Sequence, residues 1–126
     1  MKKKFSKKWK SSKQPRKQRK YSAKAPLHIR HKLMGAHLSK ELRTKYKKRS
    51  FPVRKGDKVK VLRGQFKGTI GEIERINMKK YKVYIKGVEK KKKEGQKIQY
   101  PIHPSNLIIL TLKLDDKKRA KALERK

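Results

Sequence analysis

Four histidines, nine carboxylates and 43 lysines and arginines are the groups in this 126-residue chain with the most chemical potential. The first two sets do not assemble into a catalytic centre. His28, His31, His37 and His103 show no HExxH or Cys/His spacing, and the chain has no cysteine, so neither a metal site nor disulfide chemistry has support. Glu72 and Glu74 stand two apart in a predicted strand, hence on one face. Among so many cations they suit surface ion pairs better than proton transfer. Ser39 and Ser105 have a histidine nearby, but no strained nucleophile turn or oxyanion-hole signature accompanies them. No enzymatic activity and no cofactor are expected. The chemistry left is that of the cations, which neutralise phosphate.

The formal net charge of +34 points to a polyanionic partner, and nucleic acid is the commonest one. A membrane surface is the rival polyanion. Against it, the chain has no long apolar run, no signal-peptide core and no helix with a broad apolar face beside its lysines. Arginine grips two phosphate oxygens at once, so Arg16, Arg19, Arg30, Arg43, Arg49, Arg54 and Arg63 are the stronger candidates for contact. Lys20, Lys47, Lys67, Lys91 and Lys92 complete the predicted RNA-binding set. Phe5, Trp9 and Tyr21 are interleaved among N-terminal cations, where they can stack on unpaired bases or dock in RNA crevices.

Something must position these groups. With 33% hydrophobic and 41% charged residues, the chain has too little apolar surface for a core along its whole length. Residues 1–24 hold 12 cations and no acid, and read as an extended basic tail. Residues 25–50 read as a helical extension. Pro26 opens a short helix that Gly35 ends, and Ser39 caps a second, with Leu38, Leu42 and Tyr46 on one stripe. Residues 51–114 hold most of the β-branched and large apolar residues. Val59 and Val61 alternate with lysines in a first strand. Ile70, Ile73 and Ile76 follow in a second, whose broken phase a bulge at Gly71 would restore. Tyr81, Val83 and Ile85 line a third. Residues 88–100 read as a basic hairpin turning near Glu94 and Gly95, and the apolar run 107–110 as a strand buried on both sides. Residues 115–126 read as a C-terminal helix capped by Asp115 or Asp116. The sum is a mainly β chain: a small closed barrel, short flanking helices and the tail.

Within DKVKVLRGQFKGTIGEI and its flank, Gly56-Asp57, Val59, Val61, Gly64, Lys67-Gly68, Gly71 and Ile73 resemble a KOW motif, a nucleic-acid-linked unit of SH3-like barrels. The flanks APLHIRHKLMGAHLSKELRTKYKKRSFPVRKGD and IHPSNLIILTLKLD are similar to the archaeal and eukaryotic form of the universal large-subunit ribosomal protein L-twenty-four. The resemblance covers about residues 25–125. It implies a structural constituent of the large subunit in the cytoplasmic ribosome. Such a protein binds the 5′ region of large-subunit ribosomal RNA early in assembly, near the polypeptide exit. Its partners would be that RNA and neighbouring ribosomal proteins, with no membrane and no homo-oligomer. On this reading Arg63 and Lys67 face RNA. An end at Lys126, without a long extra tail, leans towards the archaeal form. The rivals are a KOW-type transcription elongation factor and a general nucleic-acid-compacting protein. The first expects another folded domain with balanced charge, which the basic first 50 residues do not resemble. The second expects equal binding of DNA and RNA.

Overall fold

The computed structural model describes residues 5–125. The first four positions of the expected tail, and Lys126, lie outside the described residues. A 3-10 turn at Lys7–Ser11 precedes helix α1 (Pro15–Lys24), helix α2 (Leu27–Leu33), strand β1 (Gly35–Leu38), helix α3 (Lys40–Tyr46) and strand β2 (Ser50–Pro52). Strands β3 (Lys58–Val61), β4 (Ile70–Asn77), β5 (Lys82–Ile85), β6 (Glu89–Lys91) and β7 (Lys97–Gln99) follow. A 3-10 turn at Pro104–Asn106, strand β8 (Leu107–Thr111) and helix α4 (Lys117–Glu124) complete the chain. The fold is therefore mixed rather than mainly β.

Strands β2-β1-β8-β3-β4-β5 form one sheet in that order, and β6-β7 form a separate hairpin. The expected closed barrel is not observed. No ladder joins β2 to β5 among the described residues, and the sheet stays open. The physical reason lies at the two ends. Among the described residues, strand β2 pairs only with β1 and is contacted by α2, and beyond its ladder with β4 the β5 end meets only Ile102, through a single bridge to Val83. Packing still makes one core. Leu38, Val59, Val61, Ile73, Val83, Ile85, Leu107 and Ile109 are all fully buried and belong to one cluster, with Leu123 of α4 packed in. Alternation explains it: β3 and β5 each send every second side chain inward.

Strand β8 lies at the centre, parallel to β1 and antiparallel to β3. Only Leu107 and Ile109 are fully buried in it, so it is covered more completely on one face than on the other. Strand β1 stands between the two expected helices, inside the stretch read as a helical extension, while β2 begins at Ser50, beside the expected start of the β region. Leu38, expected on a helical stripe, is a β1 residue paired with Ile109, while Leu42 and Tyr46 of α3 do pack against the core. The bulge is not at Gly71, which pairs regularly with Val59. It falls at Glu74, where β4 has one residue more than β5 between the Ile73–Ile85 and Arg75–Tyr84 pairs. Glycine at 71 has a different purpose. A Cβ there would sit 2.5 Å from the Lys86 carbonyl oxygen, so only a bare backbone permits this close crossing of β4 and the end of β5. Ile70, expected inward, is 51% exposed.

The N-terminal segment is also not extended. Residues 15–24 form α1, started by Pro15 at a first-turn position where a missing N–H costs nothing. Its alignment with the rest is set by hydrogen bonds rather than by a core, since α1 has no buried residue. No described helix is long and apolar enough to cross a membrane, and the described residues hold no cluster of three metal-ligating side chains.

Candidate nucleic-acid interface

The turn between β3 and β4 is built to hold its shape. Gly64 and Gly68 both adopt positive φ, at 92° and 90°, a region that side chains with a Cβ rarely enter. Between them the backbone closes on itself: Lys67 N–H donates to Gly64 O, and Gly68 N–H donates to Val61 O at 2.8 Å. Phe66 points back and packs on Tyr100, with ring centroids 5.1 Å apart. Arg63 and Lys67 are left exposed on this anchored turn.

Tyr100 sits at the base of the β6-β7 hairpin, so the Phe66–Tyr100 contact joins the two cationic projections. Lys90 lies over the Tyr100 ring at 5.0 Å. Gln99 donates to Glu74 and ties the hairpin to β4. Lys91 and Lys92 stand exposed at the outer end, with Gly95 in the positive-φ position of the turn. Arg63, Lys67, Lys91 and Lys92 thus belong to one joined pair of loops. Sequence reasoning missed that junction, whose one trace is a pair of aromatics far apart in the chain.

The remaining predicted residues are placed elsewhere. Arg16, Arg19 and Lys20 are exposed on α1. Arg43 on α3 is exposed and spends only its Nε, on Leu38 O at 2.9 Å. Lys47 ends α3 in the left-handed region, at φ 55°, and Arg49 is exposed just beyond it. Arg54 pairs with Asp116 at 2.6 Å, with both side chains about half exposed. The Arg54 guanidinium, by hydrogen bond, is the main cause holding the Asp116 carboxyl below the usual carboxylate range; the Lys118 N–H adds to it.

Arg30 is turned inward. Its Nε donates to Ala25 O at 2.8 Å, Nη2 to Ala23 O at 2.7 Å, and Nη1 to Met78 O and Lys79 O at 3.1 Å each. It also lies over the Tyr81 ring at 5.3 Å. The Tyr81 hydroxyl donates to Ser22 O, and burial raises the phenol above its ordinary pKa despite the opposing pull of Arg30. Arg30 therefore fastens the end of α1 to the β4–β5 turn.

A second inward cation escaped sequence reasoning. Arg119 of α4 is 3% exposed and grips Asp57, which is fully buried, through Nη1–Oδ1 at 2.6 Å and Nη2–Oδ2 at 2.5 Å. The same guanidinium donates to Lys113 O and Pro52 O. Asp57 also accepts the N–H groups of Arg54 and Lys113, so one carboxylate ties β2, the start of β3, the end of β8 and α4 together. One arginine among many cations announces no such role. The only clue is its position four residues before buried Leu123, on the inward side of α4.

His103 also serves structure. Burial, aided by Lys82, lowers its pKa, and its Nδ1 accepts from Ser105 N–H at 3.2 Å to cap the second 3-10 turn. Only three ion pairs occur among the described residues, engaging Arg54, Lys113 and Arg119. Most of the positive charge is consequently uncompensated within the chain.

A family model that describes the L-twenty-six ribosomal proteins of eukaryotes and the L-twenty-four ribosomal proteins of archaea matches residues 12–126. The chain belongs to this family. It is also 51% identical over 115 residues to the large ribosomal subunit protein uL24 of Methanosphaera stadtmanae, covering 91% of this chain and 98% of that one. As a member of this ribosomal protein family it is a structural, non-enzymatic component of the large subunit of the cytoplasmic ribosome.

Proposed function

We propose that this chain binds large-subunit ribosomal RNA near its 5′ region and aids early assembly of the subunit, close to the polypeptide exit and in contact with neighbouring ribosomal proteins. The carrying observation is the uncompensated charge: a net of +34 in the whole chain, set against only three internal ion pairs among the described residues. A folded polyanion supplies the missing counter-charge. The joined loops bearing Arg63, Lys67, Lys91 and Lys92 form one contact surface. Arg43, Lys47 and Arg49 around the end of α3 form another, and Arg16, Arg19 and Lys20 on α1 a third. Arg54 contributes its remaining donors. Arg30 is left out of these surfaces because its guanidinium makes four hydrogen bonds to backbone carbonyl oxygens.

Shape supplies selectivity. RNA helices are read through phosphates and 2′-hydroxyls, so rigid cationic loops at fixed separation favour one junction over a random duplex. The protein acts as a single copy, with no homo-oligomer. Filter binding of a 5′-region ribosomal RNA fragment across a salt series tests the proposal. Each phosphate contact adds about 0.7–0.9 to the log–log slope, so Arg63→Ala with Lys67→Ala lowers the slope by about 1.5. Equal affinity for random duplex DNA at moderate salt would overturn it in favour of a compacting protein.

A further inference from the structure

The N-terminal arm carries a cleft that charge neutralisation does not explain. The 3-10 turn Lys7–Ser11 folds back on α1 because Gln18 Nε2 donates to Lys10 O at 3.0 Å and to Ser12 O at 2.7 Å. Ser6 caps the turn by accepting from Lys8 N–H. Phe5 and Tyr21 meet with centroids 4.9 Å apart, tilted by 45°. Lys17 Nζ lies 4.1 Å from the centre of the Trp9 ring. Phe5, Trp9, Lys17 and Tyr21, with Ser6, Lys20 and Lys24, line an open cleft of about 350 Å³. Trp9 remains 49% exposed beside it.

We propose that this cleft receives one unpaired base of an RNA strand. The proposal rests on the RNA-binding reading above and names what this part of the surface takes. Three observations converge. The wall is aromatic, and every base has a flat π-face that stacks on aromatic rings regardless of sequence. The rim is cationic, with Lys17, Lys20 and Lys24 all lining it and no carboxylate among the lining residues. A base extruded from a strand carries its own phosphates on either side, so a lysine rim around an apolar slot matches a nucleotide in charge as well as in shape. The size also fits. A cavity near the lower end of the ligand-pocket range of about 300–1,000 Å³ suits one nucleoside, not an extended ligand.

The cleft is held ready. Arg30 and Tyr81 fix the C-terminal end of α1 through Ala23 O and Ser22 O, and Gln18 fixes the turn against the helix. A slot assembled before binding loses less ordering entropy when a base enters.

Trp9 is the chain's single tryptophan, which makes its emission a direct report from the cleft. The full chain is titrated with three RNA hairpins of one stem sequence, each closed by a non-nucleotide linker so that no loop base is present: one carrying a single bulged adenosine, one with an abasic residue at the bulge, and one fully paired. The bulged adenosine is expected to quench the emission and to bind about tenfold more tightly than the abasic form. Trp9→Ala should abolish that preference while leaving affinity for the paired hairpin unchanged, and Trp9→Phe should retain it. Equal affinity for the bulged and abasic hairpins, with unchanged emission, overturns the proposal, leaves the cleft to a side chain of a neighbouring protein, and leaves RNA binding intact. Failure to bind any of the three hairpins removes the RNA-binding reading itself and this proposal with it.

Discussion

The sheet and the N-terminal arm are both surrounded by lysine and arginine, yet opposite forces hold them. The sheet buries Leu38, Val59, Ile73, Ile85, Leu107 and Ile109 completely. Helix α1 buries nothing and is fastened by Arg30, Tyr81 and Gln18, each using backbone carbonyl oxygens as acceptors. In the sheet, apolar area removed from water outweighs charge repulsion, at roughly 25 cal/mol for each Å². In the arm, a few hydrogen bonds of about 0.5–1.5 kcal/mol each must suffice. Carbonyl oxygens matter here because acids are scarce. Arg30 is held by backbone carbonyls alone, whereas Arg119 in the sheet has the Asp57 carboxylate as well as two carbonyls.

The contrast can be broken most forcefully at Asp57. Asp57→Ala leaves Arg119 buried without its counter-ion, and the sheet should lose about 3–5 kcal/mol of stability in urea unfolding. The arm should fall with it, because its anchor at the β4–β5 turn belongs to the sheet. Gly71→Ala comes next. The new methyl meets the Lys86 carbonyl oxygen, and overpacking of this kind costs about 1–3 kcal/mol, again in the global transition. Gln18→Ala sharpens the comparison from the other side. It should cost about 1 kcal/mol of local stability, seen as faster amide exchange in residues 5–24, with the midpoint of global unfolding unmoved.

The smallest effect concerns acid. The Asp116 carboxyl titrates below its ordinary range because Arg54 and the Lys118 N–H favour its ionised form. A depressed carboxylate contributes stability that is present above its unfolded pKa and disappears as pH falls through its folded value. Fraying at the start of α4 should therefore begin only below the ordinary carboxylate range, as followed by the Lys118 amide signal. Arg54→Ala should move that onset upward.

How much of this was legible depended on whether the signal was local. Alternation in β3 and β5 placed Val59, Val61, Val83 and Ile85 inward, and the Ser39 and Asp116 caps stand where side-chain chemistry put them. The hairpin turn at Gly95 was equally readable. Strand β1 was not. Gly35 and Ser39 are helix-boundary residues, and Leu38 lies four before Leu42, so local preference spoke for helix. A parallel ladder with β8 overrode it. Helix α1 was hidden by its charge, although Pro15 was a usable start signal. Closure of the sheet failed as an expectation because strand count and glycine turns do not reveal whether the end strands meet. Among the predicted contact residues, the commitment of Arg30 to backbone carbonyl oxygens was hidden for a related reason: composition counts a guanidinium without saying which way it faces.

The central position of β8 has a consequence for synthesis. This strand inserts between β1 and β3, so β1 has only its ladder with β2 until Ile108 arrives to pair with His37. A ribosome delivers the N-terminal end first, at about 5–20 residues per second. During that interval β1 and β3 have no shared neighbour, and the newly emerged half is a cationic strand of half-made edges. The last apolar run to leave the tunnel is the wedge that turns this loose collection into a single sheet.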